Sequence, residues 1–138
     1  MTGVSSWQGQ LQGLFNGQTR QDLYNLAGRD VAELVQTGFS EEHDPNGDPW
    51  QPSRAAQREG RKTLRKTGAL QDGIRWKADS RRLVIQTTGS ANAYAAYHQG
   101  GTRRLPARQF LPESEIPLPY ERKLADTFRT YFRERFGA

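Results

Sequence analysis

Residues 19–38 carry the one sustained helical pattern in the first half of the chain, and the rest must fold around it. Leu23, Leu26, Ala27, Val31, Leu34 and Val35 recur at intervals of three and four, so they share one face of an α-helix. Arg20, Gln21, Arg29, Glu33 and Gln36 fall largely on the other faces. Thr19 is placed to cap this helix, with Asp22 three residues on in a capping-box-like start. Gly38 is placed to stop it, and Phe39 to pack back.

Composition limits what surrounds that helix. The chain of 138 residues fits one domain and leaves little room for a second. Hydrophobic residues make up 34%, with 14 Gly and 7 Pro, enough for a modest core with apolar surface left for partners. There is no cysteine, which excludes disulfides, thiolate catalysis, Fe–S clusters and Cys-based zinc sites. With only His43 and His98, a histidine-rich metal site within one chain is not expected, and no cofactor is called for. The longest apolar runs are far short of a membrane span. The N-terminus lacks the basic-then-apolar order of a secretory signal. The expectation is a basic protein of net charge +5, made in a reducing cytoplasm and having no membrane partner.

Before the helix, residues 1–18 are rich in Gln, Gly and Ser, with Trp7, Leu11, Leu14 and Phe15 as the only large apolar groups. They read as a flexible N-terminal arm, with 19–138 as a single domain. After the helix, 40–53 is a turn-rich loop carrying Glu41, Glu42, Asp44 and Asp48, with Trp50 plugging it onto the core. Asp44, Asn46 and Asp48 alternate as calcium ligands do, but Pro49 replaces the required Gly and Ala55 the bidentate Glu, so the calcium reading fails.

From 53 to 66 the chain turns basic, with Arg54, Arg58, Arg61, Lys62, Arg65 and Lys66 against Glu59. As a helix, this segment would line Arg54, Arg58, Arg61 and Arg65 into one stripe. Next, Ile74, Trp76 and Ala78 alternate with Arg75 and Lys77, a turn follows at 79–81, and 82–87 is rich in β-branched residues. That is an antiparallel hairpin. A short helix over 91–97 bears Tyr94 and Tyr97, and two prolines bracket an extended 106–112. A final helix from about Pro119 spaces Leu124, Phe128, Phe132 and Phe136 four apart. The fold class is therefore α+β, a small antiparallel sheet with a long N-terminal helix and a C-terminal helix packed on it.

From residue 39 on, these pieces resemble the phage virion morphogenesis family, the Mu-type and tail-completion proteins of the head–tail junction. Four segments carry the resemblance. They are Phe39 followed by Asp44-Pro45-Asn46-Gly47-Asp48-Pro49-Trp50-Gln51-Pro52; Leu64 with Thr67-Gly68-Ala69-Leu70; Tyr94-Ala95-Ala96-Tyr97-His98-Gln99-Gly100-Gly101; and Pro106-Ala107-Arg108-Gln109-Phe110-Leu111. They mark Trp50, Gly68, Tyr94, His98, Gly100 and Pro106 as motif positions. Two residues depart from the family pattern. Gly100 stands where an apolar residue is usual, and Gln109 where a proline is. The resemblance implies a small α+β fold that assembles as a ring, expected to be a hexamer, in the neck or tail end of a virion. Its neighbours would be connector and tail tube proteins, with host cytoplasm as the place of assembly. It implies no catalytic residues.

The residues alone leave few alternatives. His98 could act as a base with Tyr94 or Tyr97, but no nucleophile elbow, carboxylate pair or phosphate loop accompanies it. It reads instead as a histidine bonded to loop backbone at the end of a short helix. Arg108 has a fork of donors suited to loop carbonyls or to a carboxylate of a neighbouring subunit, with Phe110 beside it as an anchor. The stripe at 54–66 has three readings: a solvated face, a surface for the phosphate backbone of passing DNA, or a partner for acidic residues of an adjacent copy. The segments expected at subunit contacts are the arm, the acidic loop and the loop 99–112. They name Glu41, Glu42, Asp44, Asp48, Arg58, Arg61, Arg65, Arg103, Arg104, Arg108 and Phe110 as candidate interface residues.

Overall fold

In a computed structural model of the chain, residues 16–64, 68–89, 95–113 and 115–137 are described. Helix α1 spans Gly17–Glu41. Its cap is Asn16, whose side-chain oxygen accepts from the Thr19 N–H at 2.8 Å. The expected capping box of Thr19 and Asp22 is therefore corrected: Thr19 is buried within the first turn, and Asp22 accepts from the Tyr131 hydroxyl at 3.0 Å. Of the expected arm, residues 17 and 18 belong to α1, and 1–15 lie outside the described residues.

Gly38 does not stop the helix. It is buried, and a Cβ there would lie 3.1 Å from the His43 carbonyl, so its smallness lets the following loop close over α1. The helix ends instead at Glu42, in the left-handed conformation at φ 59°.

The basic segment is broken. Helix α2 is only Arg54–Glu59, capped by Ser53 Oγ on the Ala56 N–H at 3.0 Å and ended by Gly60 at φ 64°. Arg54 and Arg58 lie on it, Arg61 lies beyond the glycine, and Arg65 is outside the described residues. The four-arginine stripe on one continuous helix is thus a failed expectation. In the sequence Gly60 already interrupts the thin apolar side of this segment, and in the structure its left-handed conformation ends the helix there.

A single turn, α3, spans Ala69–Asp72 and leads into β1, Ile74–Ala78, which pairs with β2, Leu83–Thr87. Pairing is antiparallel, with Trp76 opposite Ile85 and Ala78 opposite Leu83. Asp79 fastens the connecting turn, its Oδ1 accepting the N–H groups of Arg81 and Arg82 at 2.7 and 2.9 Å. Those two bonds favour the ionised carboxylate and pull the Asp79 pKa down. The hairpin lies across α1, with Arg20 Nε donating to Ser80 O at 2.9 Å and Gln21 Nε2 to Ala78 O at 3.1 Å.

Helix α4 spans Ala95–Gly100 and so runs three residues past the expected end at Tyr97; 90–94, with Tyr94, lie outside the described residues. Helix α5 spans Leu118–Phe136, with Pro119 in its first turn. Among the described residues two apolar clusters result, both built on α1. Val31, Val35 and Phe39 gather Trp50, Leu70, Ile74, Ala95, Phe110 and Tyr120. Leu23 and Tyr24 gather Ala78, Leu83, Phe128, Tyr131 and Phe132. The four-residue spacing on α5 holds for Leu124, Phe128 and Phe132. Phe136, one turn further, is 58% exposed and stacks on Phe132 at 5.8 Å.

Gly28 sets how closely the hairpin approaches. A Cβ at that position would fall 2.3 Å from Cε3 of Trp76, so the indole rests directly on the helix backbone. Gly28→Ala should therefore destabilise the protein by about 1–3 kcal/mol through overpacking. In a Trp76→Leu background the same change should be neutral or stabilising, because alanine is the better helix former. Equal costs in the two backgrounds, measured by denaturant unfolding, would show that the ring does not set the spacing.

Candidate functional site

The motif segments meet at one place, where the acidic loop, α4 and residues 106–111 converge beside the larger apolar cluster. Each is shaped by its own local chemistry. In the acidic loop, Asp44 Oδ1 accepts from the N–H groups of Asn46 and Asp48 at 2.9 and 3.0 Å, and the Asp44 N–H donates to Asp48 O. The Asp44 carboxylate is thus a turn-maker, and among the described residues no three metal-ligating side chains cluster. The loop returns to the core when Trp50 N–H donates to Glu42 O at 2.8 Å. The indole then packs edge-on against Phe39.

Gln99 is the centre of the junction. Its Oε1 accepts from the N–H groups of Phe110 and Leu111 at 3.0 and 3.1 Å. Its Nε2 donates to Leu111 O at 2.7 Å and to Glu113 Oε1 at 3.0 Å. One side-chain amide thus stands in for a strand partner, satisfying backbone groups that an irregular loop would otherwise leave unpaired. Trp50 Nε1 donates to Gln109 O at 2.9 Å, and Arg108 Nε to Gln51 O at 2.7 Å. The acidic loop and the 106–111 segment are therefore tied to each other as well as to α4. Gly101, at φ 75°, makes the tie possible: a Cβ there would sit 2.8 Å from the Ala107 N.

His98 O accepts the Arg108 N–H at 2.7 Å, a main-chain bond that ties α4 to the 106–111 segment. The His98 ring is half-buried, and burial, then the Arg108 guanidinium, hold its pKa below the usual 6.5. Burial also lowers the pKa of Arg108, which is 5% exposed.

The other candidate residues are placed as follows. Glu41 pairs with His43 Nε2 at 2.9 Å, and Glu42 Oε1 accepts from the Thr63 N–H at 2.7 Å. Arg61 pairs with Glu59. Phe110 is 3% exposed and packs 5.5 Å from Phe39, so it is a core residue of the chain's own fold. Asp48 and Arg58 are exposed, as are Arg103 and Arg104 on the 102–105 turn. Gly68 takes a left-handed conformation at φ 77° ahead of α3, and Pro106 is half-buried. Gln99 and the Glu42–Thr63 bond went unread in the sequence. The signal for Gln99 was its place beside His98 in the third segment.

The sequence matches the phage virion morphogenesis family over residues 1–131. The chain belongs to that family. No curated protein and no solved structure matches it. This virion morphogenesis protein thus has a structural role in phage particle assembly. Among its described residues no helix is long and apolar enough to cross a membrane. The junction is intact at the two positions expected to depart from the family pattern. Around Gly100 a side chain would meet open space, and Gln109 contributes the carbonyl that receives Trp50.

Replacing Gln99 with Leu should cost about 1–3 kcal/mol, because the amides of residues 110 and 111 lose their acceptor. Gln99→Glu should also destabilise, since it keeps the acceptor but faces Leu111 O with no donor. A stability within error of wild type for both variants would remove Gln99 from its central place.

The His98 shift carries a pH dependence. With its folded pKa depressed, the unfolded chain takes up a proton first as pH falls below 6.5, so stability drops from there down to the folded value. Between pH 7.5 and 5.5 the wild type should lose more stability than His98→Gln, measured by thermal or urea unfolding. Parallel profiles would contradict the assignment.

Proposed function

We propose that this protein acts at the neck or tail end of the phage particle, as a tail terminator or head–tail connector that closes into a homo-oligomeric ring. Membership of the phage virion morphogenesis family, matched over residues 1–131, is the observation that carries this reading. The surface supports it. Tyr97, Leu105, Leu118 and Phe136 are large apolar side chains exposed at 42–58%, available to neighbours. The junction loops are held by side-chain bonds within the subunit, so their shape is set before assembly and less ordering entropy is lost on association. A closed ring repeats one modest contact around an axis, which makes weak pairwise interfaces collectively stable. A hexamer is the expected closure, with connector and tail tube proteins above and below.

Particles produced without this protein should contain filled heads and tails that fail to join or terminate. Supplying the purified protein should restore infectivity, and imaging of restored particles should place a single ring at the neck or tail end. Fully infectious particles in its absence, or copies scattered along the tail, would refute the reading.

A further inference from the structure

We propose that the 102–105 turn of one copy docks into the acidic groove before α5 of the next copy, forming the head-to-tail contact of the ring. The inference rests on the ring proposed above. The turn is built rather than loose. Thr102 N–H donates to Leu105 O at 2.9 Å, and Thr102 Oγ1 accepts from the N–H groups of Arg104 and Leu105 at 3.2 and 3.1 Å. It projects Arg103, Arg104 and Leu105, all exposed, and neither arginine makes an ion pair among the described residues.

The complement lies elsewhere on the same subunit. A groove of about 340 Å³ is lined by Asn46, Glu113, Glu115, Ile116 and Leu118, among others. Leu118 is 53% exposed and Leu105 is 42% exposed. Each surface therefore presents two like charges and one bare leucine, with the charges opposite in sign. The two carboxylates outweigh the half-unit of positive charge that a helix N-terminus brings to the same place. Within one subunit the arginines do not pair with these glutamates, so a neighbouring copy is the occupant that satisfies both surfaces. Docked head to tail, each turn in the next copy's groove, the contact is heterologous and propagates around an axis until it closes.

Charge reversal tests this on the full chain. Arg103→Glu/Arg104→Glu and, separately, Glu113→Lys/Glu115→Lys should each weaken self-association at least tenfold by sedimentation or light scattering. Circular dichroism should confirm an unchanged fold, and Glu115→Lys alone should act in the same direction without touching the Gln99 bond. The quadruple variant should recover assembly, and so should a one-to-one mixture of the two reversed proteins, each turn then meeting an opposite groove. Reversals that leave a wild-type ring undisturbed would overturn the docking and spare the ring. A wild type that stays monomeric, alone and with head and tail components, would overturn both. Loss of binding to a duplex DNA probe in the Arg103/Arg104 variant, with self-association intact, would assign the turn to nucleic acid and end this proposal.

Discussion

Tyr24, Phe39, Leu23 and Val35 are the largest side chains sealed from solvent among the described residues, and all of them stand on α1. Each contributes about 1.5–3 kcal/mol on burial, so one helix face supplies much of the apolar stabilisation of a small domain. The remaining elements are short. Among the described residues the sheet has two strands, and α2, α3 and α4 run for six, four and six residues. A two-stranded hairpin and isolated turns of helix are marginal by themselves. They persist here because α1 offers them a surface. Gly28 lets Trp76 lie against the helix, and Asp22 receives the Tyr131 hydroxyl from α5.

Away from α1, hydrogen bonds from side chains to backbone replace regular pairing. Gln99, Trp50, Arg108, Asp44 and Glu42 each satisfy loop backbone groups that no sheet reaches. Such bonds fix loop shape without drawing on the outer surface. For a particle-assembly protein this division has a consequence. The core settles the fold, the junction settles the loops, and charges and leucines remain exposed on the surface. The candidate interface residues divide along the same line. Glu42, Asp44, Arg108 and Phe110 are engaged inside the subunit, while Asp48, Arg58, Arg103 and Arg104 face outward.

Much of the fold was legible in the sequence because its signals are periodic. The three-and-four spacing from Leu23 to Val35 marked α1, the alternation around Trp76 marked β1, and the aromatic series on α5 marked its docked face. The errors came where a local contact outranked a pattern. Gly38 looked like a stop but is a point of close approach beneath His43, while Gly60 looked like an interruption and is a true end. Asn16 lay in a segment read as arm, yet its short amide accepts the bond that starts the helix. The junction was less legible still. A glutamine that clamps a loop ten or more residues away leaves no periodic trace, and only family resemblance drew the eye to that segment.

The central claim is that the loops of the junction take their shape within a single subunit, before any neighbour arrives. Native-state amide hydrogen exchange on the dilute, unassembled protein tests it most directly. The N–H groups of Arg108, Phe110 and Leu111, bonded to His98 O and Gln99 Oε1, should exchange far more slowly than that of Arg103 on the neighbouring turn. Exchange of those three amides as fast as that of Arg103, while the α1 amides stay protected, would contradict it.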